Sequence, residues 1–409
     1  MCIAGSNKVK ILSLNIRATQ GGAGRMGYDL HKRLQAMGHD VRLLYGYGSG
    51  IAEDPEVRDD ASICMLGMRP AVLANYAAHL LVGHDVFTPR RAMLRDALAW
   101  ADVIHVHAAH HWYLCWSTLI DMIVAAAKPV IMTAHDWWLV SGRCGFTRDC
   151  TGWQRACGEC GKRRFEDLPS IFDRSRAVRF ARQRDLRRMA RQLTIVCPSQ
   201  HLQRDHVQVF PDLDIRFIPN ALDREYEEMI ERPAQIERRG ILFCASDLTS
   251  PGKIDAGMVR ALAATHGEAV ELVGRGNPFP QSGATNHGEV RDRRQLAKIF
   301  GTARLLVFTS RMDNAPLTII EALVAGCHVV AYPSAAAAEM LALVGGRCVT
   351  SPEEARELID SGRERELYGN VSTHQLAAKA REVWSGRRLV EAYLAIYEEQ
   401  LGRQSKWAT

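Results

Sequence analysis

Short apolar runs separated by amphipathic stretches occur in two successive series along the chain, and this double alternation constrains the fold more than any single motif. Lys10 to Ile16 reads KILSLNI, a run of the buried-strand type. After a glycine-rich gap, Met26, Leu30, Leu34 and Met37 fall on one helical face, and DVRLLYGY from Asp40 resumes the strand pattern. That is a βαβ opening. DVIHVHA, KPVIMTAHD and LTIVCPS continue it, each followed by helical material. Strands that are apolar throughout need cover on both faces, which parallel sheets flanked by helices provide. After IRFIPNALD and a charged stretch from Asp223 to Arg239, the alternation restarts with GILFCAS, AVELVGR, ARLLVFTS and CHVVAYPS. The pattern predicts an α/β protein of two Rossmann-like, doubly wound domains, residues 1–220 and 221–385. A last helix within 386–409 fits either domain, packing back on the first among the options.

Composition narrows the function classes. The 409 residues are 47% apolar and 24% charged, which suits two separate cores and argues against disorder. The start MCIAGSNKVK has no apolar core of an export signal. The longest apolar stretch, Leu119 to Val140, is broken by Asp121, Lys128 and the His135–Asp136 pair, so no membrane span is expected. The expected location is the cytoplasm, where thiols stay reduced. Seven scattered cysteines (Cys2, Cys64, Cys115, Cys197, Cys244, Cys327, Cys348) then read as small core residues. A net charge of +6 suits an anionic partner without choosing among nucleotides, membrane phosphates and nucleic acid.

In parallel sheets ligands bind beyond the carboxyl ends of the strands, and two such sheets facing each other create a central cleft. The unusual residues fall just after strands. TQGGAGRMG, from Thr19 to Gly27, places Gly21, Gly22 and Gly24 where backbone N–H groups at a helix N-terminus can approach an anion. It lacks the full dinucleotide spacing and the Lys-Ser/Thr ending of a P-loop. RMDNAPLTIIEALVAG, from Arg311 to Gly326, carries Asp313 before a helix and Glu321 within it, the latter flanked by apolar residues. His135 ends the strand PVIMTAHD. His105 and His107 alternate along VIHVHAAHHW; with His110 and His111 they gather imidazoles at no known zinc spacing, and read as acceptor-side or structural.

The Asp313-x7-Glu321 spacing followed by EALVAG resembles the E-x7-E motif and EALxxG helix of family-4 glycosyltransferases, retaining enzymes of the GT-B fold. The GGAG loop, the His135–Asp136 pair, PSQ at 198–200, PNALD at 219–223 and a Lys after the first strand of the second domain follow in that family's order. Members from exopolysaccharide operons carry a stretch similar to HDWWLVSGRCGFTRDCTGWQRACGEC and also have Asp in place of the first Glu. The resemblance implies that Glu321 holds the donor's ribose hydroxyls, Asp313 contacts hydroxyls of the transferred sugar, and Lys253 neutralises the leaving diphosphate. His135 would contact the donor sugar or orient the reacting centre. With only nine Lys among 52 basic residues, a Lys in this Pro-Gly loop is not the chain's local habit. Asp247 stands where many members have a basic residue and would repel a diphosphate; Arg275, in VGRGNP, is a candidate substitute cation. Ala221 replaces the usual glycine, and an alanine run precedes Glu339.

The implied activity is transfer of a hexose from a UDP- or GDP-sugar to a polyprenyl-diphosphate-linked saccharide, with no metal or cofactor required for catalysis. A nucleotide-sugar epimerase, or a non-catalytic sugar- or nucleic-acid-binding protein, are the alternatives. The segment from Arg174 to Gln192 holds eight arginines against one Asp, leaving a cationic face for an anionic membrane or a solvated helix. Interleaved aromatics are nearly absent, which disfavours nucleic acid. Cys144, Cys150, Cys157 and Cys160 form C-x5-C-x6-C-x2-C. Their final C-x2-C fits a structural zinc site, while the other spacings fit reduced, packed thiols equally.

Overall fold

A computed structural model describes residues 8–48, 55–147, 150–161, 169–229 and 238–404. Cys2 and its neighbours, the middle of the 223–239 stretch and the chain after Gln404 lie outside the described residues. The chain forms two compact units, Met1–Ile218 with Val390–Thr409, and Pro219–Leu389. The change of unit falls between Ile218 and Pro219, two residues before the expected 220, and the chain re-enters the first unit at Val390, within the helix Gly386–Gln404.

The first unit holds β1 (Lys10–Asn15), β2 (Asp40–Tyr45), β3 (Ile63–Met65), β4 (Val103–Val106), β5 (Val130–Thr133), β6 (Leu193–Cys197) and β7 (Asp214–Phe217). They form one seven-stranded sheet in the order β3-β2-β1-β4-β5-β6-β7, with every pair parallel. The second unit holds β8 (Gly240–Asp247), β9 (Val270–Arg275), β10 (Thr285–Gly288), β11 (Ala303–Phe308) and β12 (His328–Ala331), in the parallel order β10-β9-β8-β11-β12. The apolar runs are central strands: Ile11, Leu12 and Leu14 of β1 are wholly buried, as are Leu305 and Leu306 of β11. Helices on both faces bury that apolar surface, the largest favourable contribution to folding. The edge strands β3 and β10 have no counterpart in the apolar pattern. β3 is three residues long, and β10 reads TNHG with no fully buried side chain. An edge strand held by one ladder needs little apolar character.

In each sheet the strand order reverses once, between β1 and β4 and between β8 and β11. At such a point the connections leave in opposite directions and open a crevice beyond the strand ends.

The C-terminal helix is tied into the first unit by polar contacts. Tyr397 Oη lies 2.7 Å from His105 Nδ1 on β4, and Tyr393 Oη 2.9 Å from Thr133 Oγ1 on β5. Gln400 Nε2 donates to Thr194 Oγ1 at 2.6 Å, and Arg216 forms an ion pair with Glu399.

Polar groups organise a helix of the same unit in an unusual way. In the helix Arg69–Val82 the only buried residues are Asn75 and His79. The Asn75 amide donates to the carbonyls of Phe87 and Trp112, both at 2.9 Å, and accepts from the N–H groups of Val86 at 3.0 Å and Phe87 at 2.8 Å. Replacing Asn75 with Ala removes all four bonds and strands buried backbone groups. Urea unfolding of Asn75→Ala should show a loss of about 2–4 kcal/mol, with an unchanged slope against denaturant.

Candidate functional site

At the reversal point of the first sheet, the helix Gly21–Ala36 starts directly after β1. Its cap residue Gln20 makes no side-chain cap bond. Gly21 has φ +72°, a left-handed backbone that favours glycine. A side chain at Gly21 or Gly22 would meet nothing within 4 Å, so these two leave the helix start open. The inner glycines do a different job. A Cβ at Gly24 would lie 3.3 Å from Arg17 Cβ, and one at Gly27 would lie 2.6 Å from Asn15 Nδ2 and 3.2 Å from His107 Cδ2. Gly27 thus lets the helix close onto the end of β1 and onto His107.

The histidines form one buried array in this unit. His105 and His107 stack with ring centres 4.0 Å apart, and His107 Nδ1 lies 3.3 Å from His135 Nε2. His105 Nε2 is 2.8 Å from Thr133 Oγ1. Burial lowers His105 from its ordinary 6.5 to about 3 and His135 to about 4, and takes His107 well below the ordinary value. His135 thus lies well below the near-neutral range of an ordinary histidine. At pH 7 its imidazole is neutral, one ring nitrogen donating and the other accepting, because desolvation penalises the charged form.

Beside His135, Asp136 Oδ2 lies 3.3 Å from His110 Nε2, and its Oδ1 accepts from the Trp138 N–H at 2.7 Å. Burial pushes the Asp136 carboxyl up, but those bonds outweigh it and keep the group ionised below the usual range. His107, His110, Trp116, His135, Asp136 and Trp138 line one pocket. His111 and Trp112 both have positive φ, +65° and +68°. Two adjacent non-glycine residues in this region store strain, and the Trp112 N–H bond to Asp85 Oδ2 at 2.9 Å helps hold them.

Two arginines of the arginine-rich segment, Arg179 and Arg182, are internal. Arg179 donates to the carbonyls of Val140 and Trp153, and Arg182 to those of Trp138 and Ser141 while stacking 3.5 Å over the Trp138 ring. Burial lowers Arg182 to about 9. Arg184, Arg187 and Arg188 pair with Asp185, Asp212 and Asp121. Of the cationic face expected over 174–192, Arg174, Arg176, Arg184, Arg187, Arg188 and Arg191 are exposed, the middle three in ion pairs. Arg179 and Arg182 instead satisfy carbonyls of the chain after His135, a role hidden in a sequence that looks only charged.

No disulfide joins Cys144, Cys150, Cys157 and Cys160. Cys157 Sγ accepts from the Gly142 N–H at 3.3 Å and Cys150 Sγ from the Gly152 N–H at 3.4 Å. Among the described residues no group of three or more His, Cys, Asp or Glu is gathered so as to hold a metal ion. Cys150 is exposed, and Cys144, Cys157 and Cys160 are half-buried.

At the reversal point of the second sheet, Lys253 follows β8 and Asp313 follows β11, and Lys253 Nζ lies 2.8 Å from Asp313 Oδ1. Both side chains are about a quarter exposed, 25% and 23%. Thr309 Oγ1 donates to the Lys253 carbonyl at 2.9 Å and accepts from the Asp255 N–H at 3.0 Å, stitching the two loops together. Arg275 pairs with Asp247 at 2.9 Å. The bonds from Thr249, then Arg275, hold the Asp247 carboxyl down to about 2. The acid that looked repulsive to a diphosphate is thus neutralised, and Arg275 is committed to it.

Glu321 is 2% exposed on the helix Leu317–Val324, and its Oε1 accepts from Arg293 at 2.9 Å. The same guanidinium pairs with Asp223 and lies 5.0 Å over the Tyr226 ring. Burial opposes the charge of Arg293, yet Glu321 and Asp223 more than compensate and raise its pKa. Sequence reading missed Arg293, which sits in the run RDRRQ and looked like solvated charge. The signal available was the need of a buried Glu321 for a cation.

Two consequences are measurable. Histidines that are neutral when folded but protonate near 6.5 when unfolded make the unfolded state bind more protons, so stability falls as pH drops from about 6.5 towards 4. Burial sets this for His31, His105, His135 and His206. Each should contribute a slope of about 1.4 kcal/mol per pH unit in that window. Urea midpoints at pH 7, 6 and 5 check this, and a flat profile contradicts it. Arg293→Met leaves the Glu321 and Asp223 carboxylates without their guanidinium and should cost about 3–5 kcal/mol in the same assay.

Comparison with known proteins bears on this arrangement. The model of Glycosyltransferase Family 4 matches residues 20–226. The Escherichia coli (strain K12) protein named as the putative colanic acid biosynthesis glycosyl transferase WcaC is 30% identical over 408 residues, covering 95% of this chain and 100% of that protein. A glycosyltransferase from Rickettsia africae ESF-5 aligns with a TM-score of 0.62 at 15% identity, over 97% of this chain and 99% of its own. The pneumococcal O-GlcNAc transferase GtfA, solved with UDP and GlcNAc, aligns at 0.61 and 9%, over 97% and 100%. Anabaena HepE, solved with UDP-glucose, aligns at 0.58 and 14%, over 96% and 99%. At these identities the solved structures speak for the fold, which is GT-B. The match to half of the chain and the relative that spans nearly all of it show that this protein belongs to glycosyltransferase family 4.

Proposed function

We propose that this glycosyltransferase moves a hexose, with retention, from a UDP- or GDP-linked donor to a polyprenyl-diphosphate-linked saccharide during assembly of a colanic-acid-like exopolysaccharide, at the cytoplasmic face of the membrane. The observation that carries the donor assignment is the Lys253–Asp313 pair at the reversal point of the second sheet. A cation held there by a carboxylate is positioned to meet the diphosphate, and the carboxylate released from it can accept a sugar hydroxyl. The neighbouring structures solved with UDP, and the colanic acid relative, support the donor class and the polysaccharide context. Among the described residues no helix is long and apolar enough to cross a membrane.

In the reaction the bond from the anomeric carbon to the diphosphate oxygen breaks, and the acceptor oxygen bonds to that carbon from the same face. The acceptor's proton passes to the departing phosphate oxygen. Lys253 stabilises the charge that develops on the leaving group, and such a donor accelerates the step because its bond strengthens as charge builds. A double-displacement scheme needs a free carboxylate as nucleophile. Glu321 is buried against Arg293, and Asp313, once released from Lys253, is the group that accepts a sugar hydroxyl, so neither takes that part. His135, neutral at working pH, serves as a hydrogen-bonding group towards a saccharide hydroxyl.

A panel of nucleotide sugars tested for protection against thermal unfolding checks the donor class. One UDP- or GDP-hexose should raise the melting temperature at millimolar concentration. No shift with any of them overturns the reading, and conversion of the donor without an acceptor points to an epimerase instead. With the protecting donor, Lys253→Ala should lower kcat by roughly 10²–10³-fold.

A further inference from the structure

The helix Arg69–Val82 is inverted relative to an ordinary surface helix. Its polar Asn75 and His79 are buried, while Leu73 is 69% exposed and Leu81 51% exposed. Arg69, Leu73, Tyr76 and Ala77 recur at helical spacing along the exposed side, and the helix carries no Asp or Glu. Two further segments are bonded to it. The loop with Phe87, 53% exposed, is held by the Asn75 amide. The segment with Ile171, 51% exposed, and Phe172, 55% exposed, joins through the Ile171 N–H to the Leu80 carbonyl at 2.7 Å. At the helix end, a Cβ on Gly83 would lie 2.8 Å from Arg174 Cβ. Five large apolar side chains on three stitched segments therefore face solvent in the first unit.

We infer that this surface, Leu73, Leu81, Phe87, Ile171 and Phe172 with the exposed Arg69, Arg90, Arg91, Arg174 and Arg176 on or next to the same segments, docks the enzyme on an anionic lipid surface. The charge pattern selects that occupant. All five arginines are exposed, whereas Asp85 is buried on the Trp112 N–H and Asp173 accepts from Cys160 and Ser175. No exposed Asp or Glu occurs among the described residues 68–91 and 169–180. Exposed apolar side chains that enter the acyl boundary, with cations at headgroup level and no acid to repel phosphate, are the composition of an interfacial anchor. A protein partner of ordinary mixed charge would leave the arginines unmatched. The inference rests on the lipid-linked acceptor proposed above, which gives the docking its purpose, and it moves the membrane contact from the face of the 174–192 segment to the inverted helix and its neighbours.

Flotation with vesicles that contain no acceptor separates the two readings. The full chain should float with phosphatidylcholine vesicles holding 30% phosphatidylglycerol, and at least tenfold less with phosphatidylcholine alone or in 0.5 M salt. The triple variant Leu73→Ser, Phe87→Ser, Phe172→Ser should lose at least tenfold of that binding. Arg69→Gln with Arg91→Gln and Arg174→Gln should lose most of its preference for the anionic vesicles. Thermal protection by the donor should be the same in both variants as in the parent chain, which shows that they fold. Failure of the parent chain to float, or flotation of the triple variant equal to the parent's, overturns the inference. So does sedimentation of the parent chain as a dimer that the triple variant abolishes, which would give the face to a second copy. Donor protection lost while flotation persists would sink the proposed function and leave the docking surface standing.

Discussion

Parallel strand pairing with a single reversal of order in each sheet is the constraint from which the rest of this protein follows. A parallel ladder cannot be closed by a hairpin, so each strand is followed by a crossover, and the crossovers leave in opposite directions only where the order turns. In the first sheet that point lies between β1 and β4, and it brings Gly27 of the Gly21–Ala36 helix together with His107. In the second it lies between β8 and β11, and it brings together Lys253 and Asp313, sixty residues apart in sequence. These candidate residues are ordinary in kind, and their meeting is a property of topology.

Burial then sets what those residues can do. His105, His107 and His135 would be charged for part of the time near neutrality in water. Packed against each other they stay neutral, because burial strips an imidazolium of its hydration, and at His135 this outweighs the pull of Asp136. Glu321 shows the opposite solution. Its carboxylate stays buried and charged because Arg293 is buried with it. One unit therefore offers neutral hydrogen-bonding groups and the other compensated charge, which suits saccharide hydroxyls and a phosphorylated donor respectively.

Several features were legible from the chain alone, and others were not, for identifiable reasons. The central strands were readable because they are apolar on both faces, whereas β3 is too short, at three residues, to show a pattern and β10 is a polar edge strand. Lys253, Asp313 and Glu321 were readable from their places after strands and from their spacing. Arg275 was read as a substitute cation, and its ion pair with Asp247 was not legible. Arg179 and Arg182 looked like surface charge because no sequence rule marks a guanidinium whose partners are backbone carbonyls. The four-cysteine stretch fitted both zinc and packed thiols because cysteine spacing fixes neither the loop path nor the direction of each Sγ.

The sequence by itself determined the α/β class, the two-part division, the family and most of the residues around which chemistry is argued, since these depend on local periodicity and on motifs short enough to read. Tertiary structure alone decided that Asp247 is neutralised, that Arg293 belongs to Glu321, that His135 is neutral, and that the helix Arg69–Val82 turns its apolar side outward. Each of those depends on which group stands opposite and how much water remains between them. Contacts across scores of residues set that, and no local pattern encodes it.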